Sequence, residues 1–305
     1  MRVTATETDG GSALAPASVP AHGASTVVVV AILAAALGGC ASLGYAPSAE
    51  QDDANYAGLY ATSRSNLMSL TEVIDKHPDD PQAYNMRGSM FGEAGKYEQA
   101  LADFNKAIIL DANYGQAYAN RALIYRQTNR LDLALADYNK ALAIDASYAP
   151  AYLGRGIVHR EQGRSVQALE DFNKAIALKP DNAQAYYNRG LLYQSQHQHQ
   201  FAIDDFSTAI NLSQQKAGPY VARALSYLAL GDAKSAAGDL DQAVQIEPQN
   251  AQAWASRGLA YERLGQKEKA AGSYAKALNI NGKYALARAG FDRVGGKVGQ
   301  SYQTF

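Results

Sequence analysis

Residues 149–182 read APAYLGRGIVHREQGRSVQALEDFNKAIALKPDN, and the pattern of that stretch returns along most of the chain. Arg87, Arg121, Arg155, Arg189, Arg223 and Arg257 stand 34 residues apart without insertion or deletion, each followed by a small residue (Gly88, Ala122, Gly156, Gly190, Ala224, Gly258). Counting units from Pro81, Gly115, Ala149, Ala183, Ala217 and Ala251, the fourth position is always a large aromatic: Tyr84, Tyr118, Tyr152, Tyr186, Tyr220, Trp254. Position 20 is always Ala, position 24 is aromatic in all units but the one with Leu240, and position 27 is again Ala. A fixed period of this length marks one supersecondary unit that cannot bury its apolar face alone and stacks on copies of itself.

Positions 4, 8 and 11 fall at helical spacing, as do 20, 24 and 27, so each unit holds two amphipathic helices with facing apolar stripes. Gly95, Gly163, Gly231 and Gly265 mark the break between them, in the left-handed cap that other residues resist. Pro180 and Pro248 close the second helix in two units. Small residues at positions 8 and 20 let the two backbones approach while the aromatics fill the space beside them. Most of the 20 Tyr follow this packing grammar, which argues against a nucleic-acid stacking surface.

Position 23 is Asp103, Asp137, Asp171, Asp205 and Asp239 in five units and Ser273 in the sixth, so a cation and an anion enter the same repeat together. A ladder of arginine–carboxylate pairs is the expected use; a row of free anion-binding arginines is the alternative. Pairing runs either within a unit, leaving Arg257 without its Asp, or from one unit to the next, with Glu72 serving Arg87. Our reading favours the second.

Outside the array the composition changes. Residues 26–37 (TVVVVAILAAAL) form an uncharged apolar run too short to span a bilayer comfortably, followed by Leu37, Gly38, Gly39 and Cys40, the chain's single cysteine. This conjunction resembles the bacterial lipobox, which implies that 1–39 is a lipoprotein-type signal peptide, that Cys40 is lipidated, and that 40–55 is a polar tether. Glu7 and Asp9 against Arg2 are unusual for an export signal, and an uncleaved anchor or an incidental apolar stretch are the competing readings. Residues 56–80 read as a degenerate capping unit and 285–305 as a capping helix followed by a mobile tail. With 28 basic and 29 acidic side chains in the whole protein, removal of Arg2, Glu7 and Asp9 leaves the two counts equal. No basic face for phosphates is evident, and no nucleic-acid partner is expected.

With these residues laid out, 81–284 resembles the tetratricopeptide repeat (TPR) family as six full units (81–114, 115–148, 149–182, 183–216, 217–250, 251–284). His159 replaces the aromatic at position 11 of the third unit, and position 7, usually Leu in the family, is Arg throughout. The resemblance implies an all-α, right-handed superhelical solenoid whose concave wall is lined by positions 2, 5, 9, 12 and 13. Mapped here, the partner-binding groove is Asn85, Ser89, Leu123, Leu153, Ile157, Tyr187, Leu191, Val221, Leu225, Leu228 and Leu259, with Arg126, Arg160, Gln194 and Glu262 as polar edges. Asn85 and Pro150 stand where some family members carry carboxylate-clamp lysines. The expected protein is a non-enzymatic scaffold for another protein or peptide. It carries no cofactor or metal and touches the membrane through its lipid alone, at the periplasmic face of the outer membrane. It is similar in architecture and anchor to bacterial TPR lipoproteins of the NlpI type, in cell-wall or envelope biogenesis. Alternatives are a pilotin-like chaperone for an outer-membrane secretin and, in another class, a metal- or ligand-handling enzyme using His197 and His199.

Overall fold

The computed structural model describes residues 67–297 and 299–302; Cys40, the apolar run before it and the tether lie outside these residues. All regular structure among the described residues is helical. A helix through 67–76 (α1) precedes six hairpins: α2 (Pro81–Glu93) with α3 (Tyr97–Leu110), α4 (Gly115–Gln127) with α5 (Leu131–Ile144), α6 (Ala149–Glu161) with α7 (Ser165–Leu178), α8 (Ala183–Ser195) with α9 (His199–Leu212), α10 (Ala217–Ala229) with α11 (Ala233–Ile246), and α12 (Ala251–Arg263) with α13 (Lys267–Ile280). α14 (Ala285–Arg293) covers the end. No helix among the described residues is long and apolar enough to cross a membrane.

Local chemistry sets these bounds. Asp80 and Asn182 cap α2 and α8 by accepting from the Gln82 and Gln184 amides, and Asn250 caps α12 through the Ala253 amide. Each hairpin turn closes with one backbone bond across its corner, such as Lys96 N to Phe91 O at 2.8 Å and Arg164 N to His159 O at 2.8 Å. That closure needs a positive φ one residue earlier. Glycine supplies it in four units; Asn129 and His197, both at φ 58°, supply it in the second and fourth.

Within a hairpin, the ring at position 24 lies against the glycine at position 8. A Cβ on Gly156 would stand 2.8 Å from the Phe172 ring and one on Gly190 2.7 Å from Phe206, so at these two glycines a larger residue would force the ring to shift. Phe104, Phe172, Phe206 and Tyr274 are fully buried there. Between hairpins, each second helix packs on the next unit's first helix, and successive first helices also touch one another. Second helices have no comparable mutual contact, so the stack closes up on the first-helix side and that side forms the inner wall.

At the C-terminal end α14 packs on α13 and α12 and buries Phe291. The stretch expected to be a mobile tail instead turns back over this cap as far as it is described: the Tyr302 ring lies 5.7 Å from Phe291, edge-on, and its hydroxyl accepts from the Lys297 amide. An exposed Phe291 would otherwise end the stack. At the other end, Ile74 is the buried anchor of α1, whereas Met68 and Val73 are exposed.

Candidate functional site: the inner wall and its charges

The position-7 arginines are fully occupied, but not in the direction expected. Arg155 Nε and Nη2 hold Asp171 of the same unit at 2.9 and 2.7 Å, and Arg87–Asp103, Arg121–Asp137, Arg189–Asp205 and Arg223–Asp239 repeat this two-pronged geometry. Pairing within the unit corrects the between-unit reading, because positions 7 and 23 lie side by side across one hairpin. The third nitrogen makes the link between units: Nη1 of Arg121, Arg155, Arg189 and Arg223 donates to Asn105, Asn139, Asn173 and Ser207 of the preceding repeat. Arg257 is not left over. Ser273 accepts its Nη1, and Asp241 of the preceding unit supplies the carboxylate at 2.6 Å. Arg87 reaches Thr71 instead of Glu72, which pairs with Lys76.

Aromatics at positions 4 and 11 flank every guanidinium of the row except that of Arg155, which has Tyr152 alone; Tyr118 and Tyr125 lie 5.5 and 5.7 Å from Arg121. Hydrogen bonding to aspartate raises the pKa of Arg87, Arg121, Arg155, Arg189 and Arg223, more than burial lowers it. The row is internal glue and leaves no free anion site. In the third unit His159 takes the aromatic's place, its Nε2 3.9 Å from Asp171 and its Nδ1 buried without a partner. Burial pushes the His159 pKa down, with Asp171 opposing and Arg155 and Arg164 adding to the fall.

The inner wall is less open than the mapped groove. Leu153, Ile157, Val221 and Leu228 are buried in the cores between units, where touching first helices squeeze residues at positions 5, 9 and 12. Asn85 is buried too and locked in a polar knot: it donates to the Tyr114 hydroxyl, accepts from Asn120, and its carbonyl accepts from Ser89. Tyr187, Leu191, Leu225 and Leu259 are half-buried, and Leu123 is 39% exposed. A cavity of about 280 Å³ opens in the wall between α4 and α6, lined by Leu123, Leu153 and Ile157 together with Tyr138, Tyr148, Arg126, Asn120 and Gln184. Gly154 keeps it open, because a side chain there would collide with the Tyr138 ring. A second, open hollow lies on the turn surface at Gly265–Lys269.

Position 12 runs along this wall with a different fate in each unit. Gln194 donates to the Ala222 carbonyl and Ser226 hydroxyl, and Glu262 holds Arg293 of α14 in a two-pronged pair while accepting from Tyr274. Arg126 donates to Glu161 at 3.0 Å and lies beside the Tyr138 hydroxyl, whose pKa burial lifts to about 12. Arg160 has no hydrogen bond or ion pair among the described residues, and its Nε is buried. Burial lowers its pKa, partly offset by Glu161 and Tyr187, with Arg126 adding to the fall. The polar edge residues were legible in the sequence; the lack of a partner for Arg160, and the part played by Tyr138 and Tyr148, were not.

His197 and His199 sit with ring centroids 6.0 Å apart at the α8–α9 turn. His197 fills the positive-φ corner, and burial lowers the His199 pKa. Among the described residues no group of three metal-ligating side chains forms there or elsewhere.

Family profiles match this array along its length: one described as TPR repeat over 122–163 and 158–197, and two described as tetratricopeptide repeat, over 181–247 and over 69–114 with 221–285. The chain belongs to the tetratricopeptide repeat family. No curated protein matches it. Among solved TPR folds, a chain of the APC/C hetero-tetramer Cut9–Hcn1 is similar with a TM-score of 0.68 at 20% identity, over 78% of this chain and 48% of that one. This TPR chain therefore spans about half the length of that relative. PilF of Pseudomonas aeruginosa is similar at 0.63 and 21% identity, over 68% and 95%. YrrB, described as a TPR protein with an unusual peptide-binding site, is similar at 0.52 and 27% identity, over 61% and 96%. The first two are likenesses of fold alone.

Proposed function

We propose that this TPR protein is a non-enzymatic scaffold that holds a peptide or partner protein against its first-helix wall. The observation that carries the reading is the opening between α4 and α6, where the aliphatic side chains of Leu123, Leu153 and Ile157 meet polar ones such as Arg126 and Asn120, with Leu123 exposed at its edge. Such an opening suits the anchor side chain of an extended or helical segment. The peptide-binding site named for YrrB supports it. A photo-crosslinker at Leu123 or Leu191, with Ile109 on α3 as the outward control, tests it: one discrete partner captured from the wall positions and absent from Ile109 is the expected result. Capture chiefly from Ile109 overturns the reading.

We further infer that the array is tethered in the bacterial envelope through Cys40, at the periplasmic face of the outer membrane, in the service of envelope or cell-wall biogenesis. The support is the apolar run of 26–37 ending at a lone cysteine. Two or three acyl chains anchor stably where one is marginal, each buried methylene contributing about 0.8 kcal/mol. Intact mass of the membrane-extracted protein reads this directly. An added diacylglyceryl mass that Cys40→Ser abolishes is expected, and an unmodified Cys40 in the membrane fraction rules it out.

A further inference from the structure

Two guanidinium groups and one carboxylate meet at the middle of the inner wall. Arg126 spends its bond on Glu161, and Arg160, at the equivalent position of the next unit, has none. The Arg160 Nε is cut off from water without an acceptor, which is costly. The contrast inside this molecule is sharp, since every position-7 arginine finds two or three acceptors. Packing does not demand a cation at position 12, where other units place Gly92, Gln194 and Leu228. Arg160 also follows Ile157 by three residues on α6, so its backbone stands about one helical turn, roughly 5 Å, from that of Ile157, which lines the cavity.

From the unpartnered guanidinium near an opening that Leu123, Leu153 and Ile157 help to line, we propose that Arg160 is the carboxylate subsite of the groove, and that the partner is a polypeptide segment carrying an internal Asp or Glu next to an aliphatic residue. The acid accepts from Arg160 while the aliphatic side chain enters the cavity at Leu123, Leu153 and Ile157. At about 3.3 Å per extended residue, the two lie one or two positions apart in the partner. A side chain is favoured over a chain terminus because half-buried Leu191, Leu225 and Leu259 continue the wall beyond Arg160, so the segment runs on. Glu161, about a third exposed, is the competing acceptor nearby and is already held by Arg126.

This proposal rests on the scaffold reading, and one selection separates their failures. Random nonapeptides, displayed both between fixed flanks and with a free C-terminus, are selected on the immobilised array and again on Arg160→Gln. Enrichment of an internal acid one or two residues from an aliphatic is expected, with binding weakened about tenfold or more in the variant. Wall-binding peptides without that acid, peptides dependent on a free C-terminal carboxylate, or the same enrichment in Arg160→Gln each overturn the subsite and leave the scaffold standing. No peptide bound at the wall overturns both. The unliganded variant is expected to melt at the same temperature or a few degrees higher, since a buried donor without an acceptor is removed. A clear fall in melting temperature shows that Arg160 is a structural charge and ends the proposal.

Discussion

At the scale of single residues, one arginine per repeat ties together its own hairpin and the one before it. Arg155 holds Asp171 with two nitrogens and Asn139 of the preceding unit with the third. Asp171 is buried, so removing the arginine strands a carboxylate, and Arg155→Ala is expected to cost about 3 kcal/mol. A double-mutant cycle of Arg155 with Asp171 should return a coupling of about 1–3 kcal/mol, while the cycle with Asp137 should return none beyond about 0.5 kcal/mol. Denaturant melts of the two cycles decide it, and the reverse ranking would restore the between-unit ladder. His159 gives a second prediction. Its folded pKa is lowered, so the folded state binds fewer protons than the unfolded chain once pH falls below about 6.5. The stability it permits is therefore present above that value and lost as pH falls through it. Asp171, Arg155 and Arg164 are the charged groups acting on it. Replacing it with the aromatic of the other units, His159→Tyr, should flatten the loss of stability between pH 7.5 and 5.5, as urea melts at the two pH values will show.

At the scale of helices, the same substitution has opposite signs at two glycines. Gly154 lies under the buried ring of Tyr138, and Gly154→Ala is expected to destabilise by about 1–3 kcal/mol through overpacking, and to narrow the cavity. Gly238 is an exposed interior residue of α11 with nothing within 4 Å of a would-be Cβ, and Gly238→Ala should stabilise by about 0.5–1 kcal/mol. Thermal unfolding of the pair checks both, and equal shifts would mean that ring contact does not govern the site. This contrast also marks what was readable beforehand. The first residue of every first helix coincides with the start of a repeat, because a period locates elements once its spacing shows the helical face. Turns were legible at the four glycines and invisible at Asn129 and His197, since the corner requires a backbone angle and not a residue type. The openness of the wall was illegible for a further reason. Whether Leu153 or Leu191 is covered depends on how closely first helices approach from unit to unit, a distance that a repeat pattern does not contain. The same ignorance of the offset between helices misled the direction of the arginine pairs.

At the scale of the whole array, the cores are unevenly joined. From Ala217 to Phe291 the buried residues of the last two hairpins and α14 form one continuous cluster, whereas upstream they fall into smaller ones: Ala100 to Ile124, Ala119 to Val158, Leu153 to Leu192, and Ala202 to Ala222. Between the first two units part of the contact is polar, through Asn85, Ser89 and Asn120. In a linear array stability is a sum of unit terms and nearest-neighbour interface terms, so a larger apolar interface raises the cost of opening the units it joins. The cap adds Arg293 to Glu262 and so ties the end of the stack to α12. The C-terminal end is therefore expected to open last. Amides of α10 to α13 should exchange with deuterium most slowly and by global unfolding, and those of α2 to α5 earlier and by local opening. Trp254, the single tryptophan, provides an independent readout: it is buried in the last hairpin, where its indole donates to the Pro248 carbonyl. Its fluorescence should lag behind far-ultraviolet circular dichroism in a denaturant melt, because dichroism averages over all hairpins while the indole reports the most firmly coupled one. Coincident transitions with uniform exchange would show the six units unfolding together, and the uneven cores would then have no energetic consequence.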